Sequence, residues 1–172
     1  FPAIMNTRRP TVLLTGATGY IASHTWLALQ AAGLRVIGLD DFSNSSPEVL
    51  VRLERLSGLR PEFARVDVCD ASALERIFAA ERVDAVVHFA AFKAVGESSA
   101  KPLEYYRNNI GGLVALARTM QRHDCRRLVF SSSATVYGQP EKLPITEDAP
   151  LSTTNPYGAT KLMGENILRD LE

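Results

Sequence analysis

Five short apolar segments alternate with longer amphipathic segments along this chain, and this alternation restricts its fold more than any other feature. The predicted strands are residues 11–15, 34–40, 62–68, 84–90 and 127–133. The predicted helices are residues 20–33, 47–58, 71–81, 102–124 and a last one that begins at Pro156. Continuous apolar strands are typical of a parallel sheet that helices cover on both faces. With right-handed crossovers this gives a doubly wound α/β fold, for which we expect the strand order 3-2-1-4-5.

Composition narrows the classes of protein that such a fold can serve. The chain has 172 residues, enough for one domain with a hydrophobic core. We assign residues 11–172 to that domain and residues 1–10 to an N-terminal extension or a cloning remnant. Lys and Arg together number 19, as do Asp and Glu, whereas binding to nucleic acid or to a membrane surface needs a local excess of basic residues. The longest apolar stretch is too short to span a bilayer. We therefore expect neither nucleic acid nor a membrane as a partner.

The cysteines and histidines indicate a reducing compartment and argue against a metal site. Cys69 and Cys125 are far apart and show no CxxC spacing, so we interpret them as free thiols of a cytoplasmic protein, with a disulfide as the alternative. His24, His88 and His123 are scattered, which is not the spacing of metal ligands. His88 lies inside an apolar strand and is expected to be a hydrogen-bonded core residue.

The segment TGATGYIAS, residues 15–23, links the first strand to the first helix with a GxxGxxA pattern. Gly16 permits a tight turn, Gly19 lets the backbone approach a pyrophosphate, and Ala22 keeps the helix close to the sheet. The N–H groups at the helix N-terminus favour a phosphate there. Because a strand precedes the pattern and a helix follows it, we favour a dinucleotide-binding turn of the Rossmann type over an ordinary strand-to-helix turn.

Acidic residues at the ends of the next two strands fit the ribose and adenine of a dinucleotide. Asp40 ends the second strand, where a carboxylate accepts hydrogen bonds from ribose hydroxyls and repels a 2′-phosphate, so NAD is favoured over NADP. The alternative is that Asp40 caps the following turn, in which Asp41 and Asn44 are neighbours with similar options. Asp67, at the end of the third strand, is placed to reach the adenine amino group and is equally well explained as a turn residue.

The segment NPYGATKLM, residues 155–163, predicts a helix that carries a tyrosine and a lysine on one face. Asn155 suits the helix cap and Pro156 the first turn, and Tyr157 and Lys161 then lie four residues apart. An unperturbed phenol ionises near pH 10 and needs a nearby cation in a closed site to act as a base at neutral pH. The alternative is an exposed pair of surface residues.

Three serines, Ser131, Ser132 and Ser133, end the fifth predicted strand, and ligands bind at the carboxyl ends of such strands. One of them is expected to hydrogen-bond the substrate. The alternative is three small residues that close a strand. None has the base and orienting group that a nucleophilic serine needs.

Five strings occur in an order that resembles the nucleotide-binding half of the UDP-sugar epimerases, members of the extended short-chain dehydrogenase/reductase family. They are TGATGYIAS, FAAFKAVGES (residues 89–98), PLEYYRNN (102–109), FSSSATVYG (130–138) and NPYGATKLM. The resemblance covers residues 11–172 and implies an NAD-dependent interconversion of UDP-glucose and UDP-galactose through a transient 4-keto sugar. It also implies a homodimer formed through helices within residues 102–122 and 156–172. The chain is expected to stop before a sixth strand and a sugar-nucleotide domain, so we expect it to be inactive alone.

The resemblance assigns roles to individual residues. It implies that Tyr157 is the catalytic base, that Lys161 holds the nicotinamide ribose and favours the phenolate, and that Ser133 binds the reacting sugar hydroxyl. The residues implied to contact NAD are Gly16, Thr18, Gly19, Tyr20, Ile21, Asp40, Asp41, Asn44, Asp67, Val68, Phe89, Ala90, Ala91, Lys93, Asn108, Ser131, Tyr157 and Lys161. Those implied to contact the substrate are Lys93, Ser133, Ala134, Thr135 and Tyr157, with Tyr137 lining the same region.

Two other functions fit part of the pattern. A nucleotide-sugar dehydratase of the same family needs an acid beside the serine, and the matching residues here are Ser133, Ala134 and Thr135, with no carboxylate. A cofactor-binding module without turnover is the alternative from another class, because the half that grips the sugar nucleotide in the family is not in this sequence.

Overall fold

A five-stranded parallel sheet forms the centre of the computed structural model, which describes residues 8–172. The strands are β1 Thr11–Thr15, β2 Arg35–Asp40, β3 Glu62–Arg65, β4 Ala85–His88 and β5 Leu128–Phe130. Every pairing is parallel and the order is β3-β2-β1-β4-β5. The predicted fold class and strand order are therefore confirmed. The order reverses between β1 and β4, and ligands of doubly wound sheets bind at this point.

Helices connect the strands and cover both faces of the sheet. They are α1 Tyr20–Ala31, α2 Glu48–Ser57, α3 Ala71–Ala80, α4 Val95–Ala100, α5 Pro102–Tyr105, a π-helical turn Tyr106–Gly111, α6 Gly112–Arg122, a 3₁₀ turn Ala134–Tyr137 and α7 Pro156–Arg169. The short α4 was not predicted, and the predicted helix 102–124 is interrupted by the π-helical turn and ends at Arg122. No helix of residues 8–172 is both long and apolar enough to cross a membrane.

Two hydrophobic clusters, one on each face of the sheet, explain the continuous apolar strands. All of β1 is buried; Leu13 points into one cluster and Leu14 into the other. The Leu13 cluster includes Leu74 of α3 and Leu116 of α6, while the Leu14 cluster includes the fully buried Trp26 of α1. Burial of each such side chain stabilises the fold by roughly 1.5–3 kcal/mol before the entropy cost of ordering it.

Strands β1 and β2 end where the sequence predicted, whereas β3, β4 and β5 end earlier, which moves the three serines out of β5. That strand stops at Phe130, although the N–H of Ser131 still donates to the carbonyl of His88. The Ser131 carbonyl then turns away from the sheet and accepts from Lys161 Nζ at 2.7 Å. The serines therefore form a loop at the carboxyl end of the sheet. Of the assigned N-terminal extension, residues 1–7 lie outside the described residues, and Arg8 forms an ion pair with Asp84.

His88 ends β4 and is a hydrogen-bonded core residue, as predicted. Its side chain is 2% exposed, and its Nδ1 lies 2.7 Å from Thr15 Oγ1. The same threonine oxygen also accepts from the N–H of Ala90 at 3.2 Å. Burial, aided by the charge of Lys161, lowers the pKa of His88 to about 3.

We expect acid to destabilise the fold through His88. Its pKa is about 3 in the folded chain and 6.5 without the fold, so the unfolded state binds more protons between these values. The free energy of unfolding then falls as the pH drops through that window, by about 2 kcal/mol between pH 7 and pH 5. Urea unfolding at both pH values measures the loss. His88→Gln keeps a hydrogen-bonding side chain that does not titrate there, so an equal loss in both proteins would contradict the assignment.

Candidate active site

A cavity of about 510 Å³ lies outside the carboxyl ends of the strands. Every residue that the resemblance implied for NAD lines it, from Gly16 after β1 to Lys161 of α7. Ser132 and Ser133 line it as well, but Ala134, Thr135 and Tyr137 are not among its lining residues. The structure thus brings the glycine turn, the acidic residues, the serines and the Tyr–Lys pair to one site, and it leaves part of the predicted substrate set outside.

The glycine turn has the geometry that a pyrophosphate requires. Gly16 has a φ of 65°, and a Cβ there would lie 2.7 Å from the backbone nitrogen of Ala90. Helix α1 begins directly after Gly19, and no side chain within residues 8–172 caps it. Tyr20, Ile21 and Ala22 of its first turn line the cavity, so the N–H groups and the positive end of the helix dipole face that space. These residues fit the phosphates of a dinucleotide.

Asp40 links the glycine turn to the loop that follows β2. Its carboxylate is buried and accepts from the N–H of Thr18 at 3.1 Å, the N–H of Phe42 at 2.8 Å and the hydroxyl of Ser45 at 3.2 Å. The interpretation of Asp40 as a turn cap is therefore correct. An ionised carboxylate accepts about four hydrogen bonds, which leaves one acceptor position, so the predicted contact with a ribose hydroxyl stays a prediction.

The other acidic residues of the cavity also hold turns. Asp67 accepts from the N–H of Cys69 at 2.8 Å, and Asp41 accepts from the N–H of Ser43 at 2.8 Å.

Cys69 and Cys125 are free thiols, as predicted. Burial, helped by the charge of Asp67, raises the pKa of Cys69 to about 11. A protonated thiol is a poor nucleophile, and Cys69 is not among the residues that line the cavity.

Helix α7 begins as its sequence predicted. Asn155 precedes it and its side chain accepts from the N–H of Gly158 at 2.8 Å, while Pro156 occupies the first turn. Tyr157 is half-buried and lines the cavity.

Lys161 lies inside the protein, which makes the alternative of an exposed surface pair wrong. Its side chain is 4% exposed, and its Nζ donates to the carbonyl of Ser131 at 2.7 Å. The same nitrogen lies 4.9 Å from the centroid of the Phe130 ring and 6.0 Å from that of Tyr157. Burial lowers the pKa of Lys161 to about 8. A mostly protonated ammonium at pH 7 therefore lies close to the phenol in a low-dielectric site.

The three serines differ in what they contact. The Ser131 carbonyl holds Lys161, and the Ser132 hydroxyl donates to the carboxylate of Glu165 in α7. The Ser133 oxygen accepts from the N–H of Thr135 at 3.2 Å and from its hydroxyl at 3.0 Å. Because both contacts use Ser133 as an acceptor, its own proton is available to a ligand in the cavity.

Asn109 links two segments that line the site, and sequence reasoning missed it. It is buried in the π-helical turn, where its side chain accepts from the N–H of Phe92 at 2.8 Å and donates to the carbonyl of Phe92 at 3.0 Å. It also donates to Thr160 Oγ1 at 2.9 Å, and that hydroxyl donates to the carbonyl of Tyr157. Asn109 thereby links the loop after β4 to the first turn of α7, which carries Tyr157. The only sequence signal was its neighbour Asn108, which was predicted and lines the cavity.

Lys93 lines the cavity from the same loop, with its side chain exposed. A phosphate contact and a merely solvated lysine both fit this position, so its role stays a prediction.

Comparison with known proteins gives a consistent relationship. A model of the "NAD dependent epimerase/dehydratase family" matches residues 12–172. The chain is 51% identical over 160 residues to a UDP-glucose 4-epimerase of Bacillus subtilis, covering 93% of this chain and 47% of that protein. A UDP-glucose 4-epimerase of Dictyostelium discoideum is also 51% identical, with 93% and 46% covered. The chain thus spans about half the length of these relatives.

Solved structures agree with the sequence comparison. The UDP-glucose 4-epimerase of Bifidobacterium longum, in complex with NAD+ and UDP, superposes with a TM-score of 0.92 at 50% identity, covering 94% of this chain and 48% of that one. An enzyme of the same name from Stenotrophomonas maltophila, with bound NAD and formylated UDP-arabinopyranose, gives a TM-score of 0.92 at 43% identity, with 95% and 48% covered. The resemblance inferred from the motifs is confirmed, and the chain belongs to the NAD dependent epimerase/dehydratase family.

Proposed function

We propose that this chain is the NAD-binding half of a UDP-glucose 4-epimerase, which interconverts UDP-glucose and UDP-galactose through a transient 4-keto sugar. The observation that carries the proposal is the buried Lys161, held beside Tyr157 in the cavity that begins at the glycine turn. The relatives of that name, at about half identity over nearly the whole chain, support the assignment.

The residues that would hold NAD follow from the chemistry of the cavity. The first turn of α1 suits the pyrophosphate, and the free acceptor position of Asp40 suits the adenosine ribose. Asp67 and Val68 would lie at the adenine end, and Lys161 would donate to the nicotinamide ribose. When bound, NAD supplies a reversible hydride acceptor for the carbon that is inverted.

The chain's own residues handle the proton. Tyr157 accepts the proton of the sugar hydroxyl and returns it after the sugar has turned over. The Lys161 ammonium lies 6.0 Å from the centroid of the Tyr157 ring, and its contact with Ser131 fixes where that charge lies. Ser133 donates its free proton to the same sugar oxygen. General-base assistance of this kind contributes about 10²–10⁴-fold to the rate.

Dehydration is the nearest competing reaction, and the loop after β5 argues against it. Elimination of water needs an acid next to the reacting carbon. The two residues that follow Ser133 are Ala134 and Thr135, and the hydroxyl of Thr135 donates to Ser133. Within residues 8–172, the carboxylates lining the cavity are Asp40, Asp41 and Asp67, which lie at its adenosine end.

A coupled assay tests the proposed function. A protein that joins this chain to a sugar-nucleotide half should convert UDP-galactose to UDP-glucose without net consumption of NAD. Binding of NAD with no turnover of either sugar would instead favour a binding module. We propose that residues 1–172 alone lack this activity; full epimerase activity of the isolated chain would overturn that statement.

We also propose a cytoplasmic homodimer that pairs through α5, α6 and α7. The two free thiols fit a reducing compartment. Exposed apolar side chains on these helices support the pairing: Leu103 is 81% exposed and Met163 is 44% exposed. Light scattering that gives the mass of a monomer at micromolar concentration would contradict the dimer.

A further inference from the structure

Helix α7 presents three functional side chains at intervals of four residues. Tyr157, Lys161 and Glu165 follow one another on one face of the helix. Tyr157 reaches into the cavity, Lys161 holds the Ser131 carbonyl, and Glu165 accepts from the Ser132 hydroxyl. Two consecutive serines are therefore fastened to two consecutive turns of the helix that carries the proposed base.

The close approach of α7 to β5 makes this fastening possible. Gly164 is buried, and a Cβ there would lie 2.7 Å from the ring of Phe130, the last residue of β5. The serine loop leaves the sheet directly after Phe130, with no further strand pairing beyond Ser131 in the described chain. Contacts to α7 therefore hold Ser131 and Ser132, while the bonds from Thr135 hold Ser133.

Glu165 has no place in the proposed chemistry. It is half-buried and does not line the cavity, so it does not touch the substrate or the cofactor. Its hydrogen bond from Ser132 is charge-assisted, and such bonds are roughly twice as strong as neutral ones. It accepts from Ser132. That residue lies between Ser131, whose carbonyl holds Lys161, and Ser133, which is proposed to face the sugar.

We propose that Glu165 is a positioning residue for the loop formed by Ser131, Ser132 and Ser133. By holding Ser132 it fixes the direction of the Ser133 hydroxyl and the position of the Lys161 ammonium group. The proposal rests on the proposed epimerase function. A displacement of about 1 Å at a catalytic group can cost 10²-fold in rate. Loss of this hydrogen bond should therefore affect turnover more than cofactor binding.

The test uses the protein joined to its sugar-nucleotide half and three variants. Glu165→Ala should lower kcat about tenfold or more, the effect of losing one hydrogen bond to a charged group, with KM changed less than about threefold. Glu165→Gln keeps an oxygen that accepts from Ser132 and should restore kcat to within about threefold of the parent. Glu54→Ala, an exposed residue of α2, is the matched control and should not change kcat.

A double-variant cycle with Ser132→Ala separates positioning from general stability. If the two side chains act through each other, Glu165→Ala and Ser132→Ala together lower kcat no further than the larger single effect. The same non-additivity should appear in the melting temperature of the 172-residue chain, which needs no activity. Additive effects, or a kcat that Gln does not restore, would overturn the proposal. An inactive parent protein would instead refute the proposed function. The melting temperatures of the single and double variants would then still test the coupling between Glu165 and Ser132.

Discussion

Turnover of the joined protein is expected to fall about 10³-fold when Tyr157 is replaced by Phe. The change removes only the hydroxyl, so it deletes the proposed proton acceptor while the ring still fills its place beside Lys161. NAD should stay bound, because the glycine turn and Asp40 lie at the other end of the cavity. The measurements are kcat in the coupled assay and the amount of nucleotide released on denaturation.

Tyr106→Phe is the matched control for that experiment. Tyr106 lies in the π-helical turn and does not line the cavity, and its hydroxyl makes no hydrogen bond within residues 8–172. Its loss should leave kcat unchanged. If Tyr157→Phe also kept full turnover, Tyr157 would not be the base; if both variants lost activity equally, the effect would come from the helices rather than from the phenol.

Replacement of Gly16 by Ala is expected to weaken both the fold and the binding of NAD. The φ of 65° already costs an L-residue about 1–2 kcal/mol. The added Cβ would also lie 2.7 Å from the nitrogen and 2.9 Å from the Cα of Ala90, and such overlap typically costs about 1–3 kcal/mol. We expect a total loss of about 2–5 kcal/mol in the free energy of unfolding. NAD affinity should fall at least about tenfold, because the turn must move from the pyrophosphate position.

Gly33→Ala separates the two causes. Gly33 has a φ of 82°, but a Cβ there would meet nothing within 4 Å. The substitution should lower the free energy of unfolding only by the cost of an L-residue at positive φ, about 1–2 kcal/mol. It should leave NAD binding intact. Urea unfolding and calorimetric titration with NAD measure both effects. Equal losses in the two variants would mean that the close approach of Gly16 to Ala90 has no role.

The sequence was sufficient to predict the fold and most of the cavity, because both follow from local rules. Apolar strands such as β1 have to be buried on both faces, and a glycine turn between a strand and a helix leaves the helix N-terminus open. Asn155, Pro156 and the spacing of Tyr157 and Lys161 predict the tyrosine helix without any tertiary information.

The contacts that complete the site could not be predicted, because they join segments far apart in sequence. Lys161 is buried against the segment that follows β5, and its Nζ donates to the carbonyl of Ser131, 30 residues away. The partner of Glu165 is a serine 33 residues away. The π-helical turn has no distinct composition; its hydrogen bonds from Asn109 to Phe92 and Thr160 became visible only in three dimensions.

The π-helical turn determines what a deletion in this segment would change. A π turn holds one residue more than an α turn, so it absorbs that residue without rotating the helix that follows. Removing one residue between Tyr106 and Gly111 should let α5 and α6 merge into a regular helix that keeps Leu113, Leu116 and Met120 in the core. The loss would fall on the turn itself, where the Asn109 side chain reaches Phe92 and Thr160. A one-residue deletion here should therefore spare the helix packing and remove these contacts.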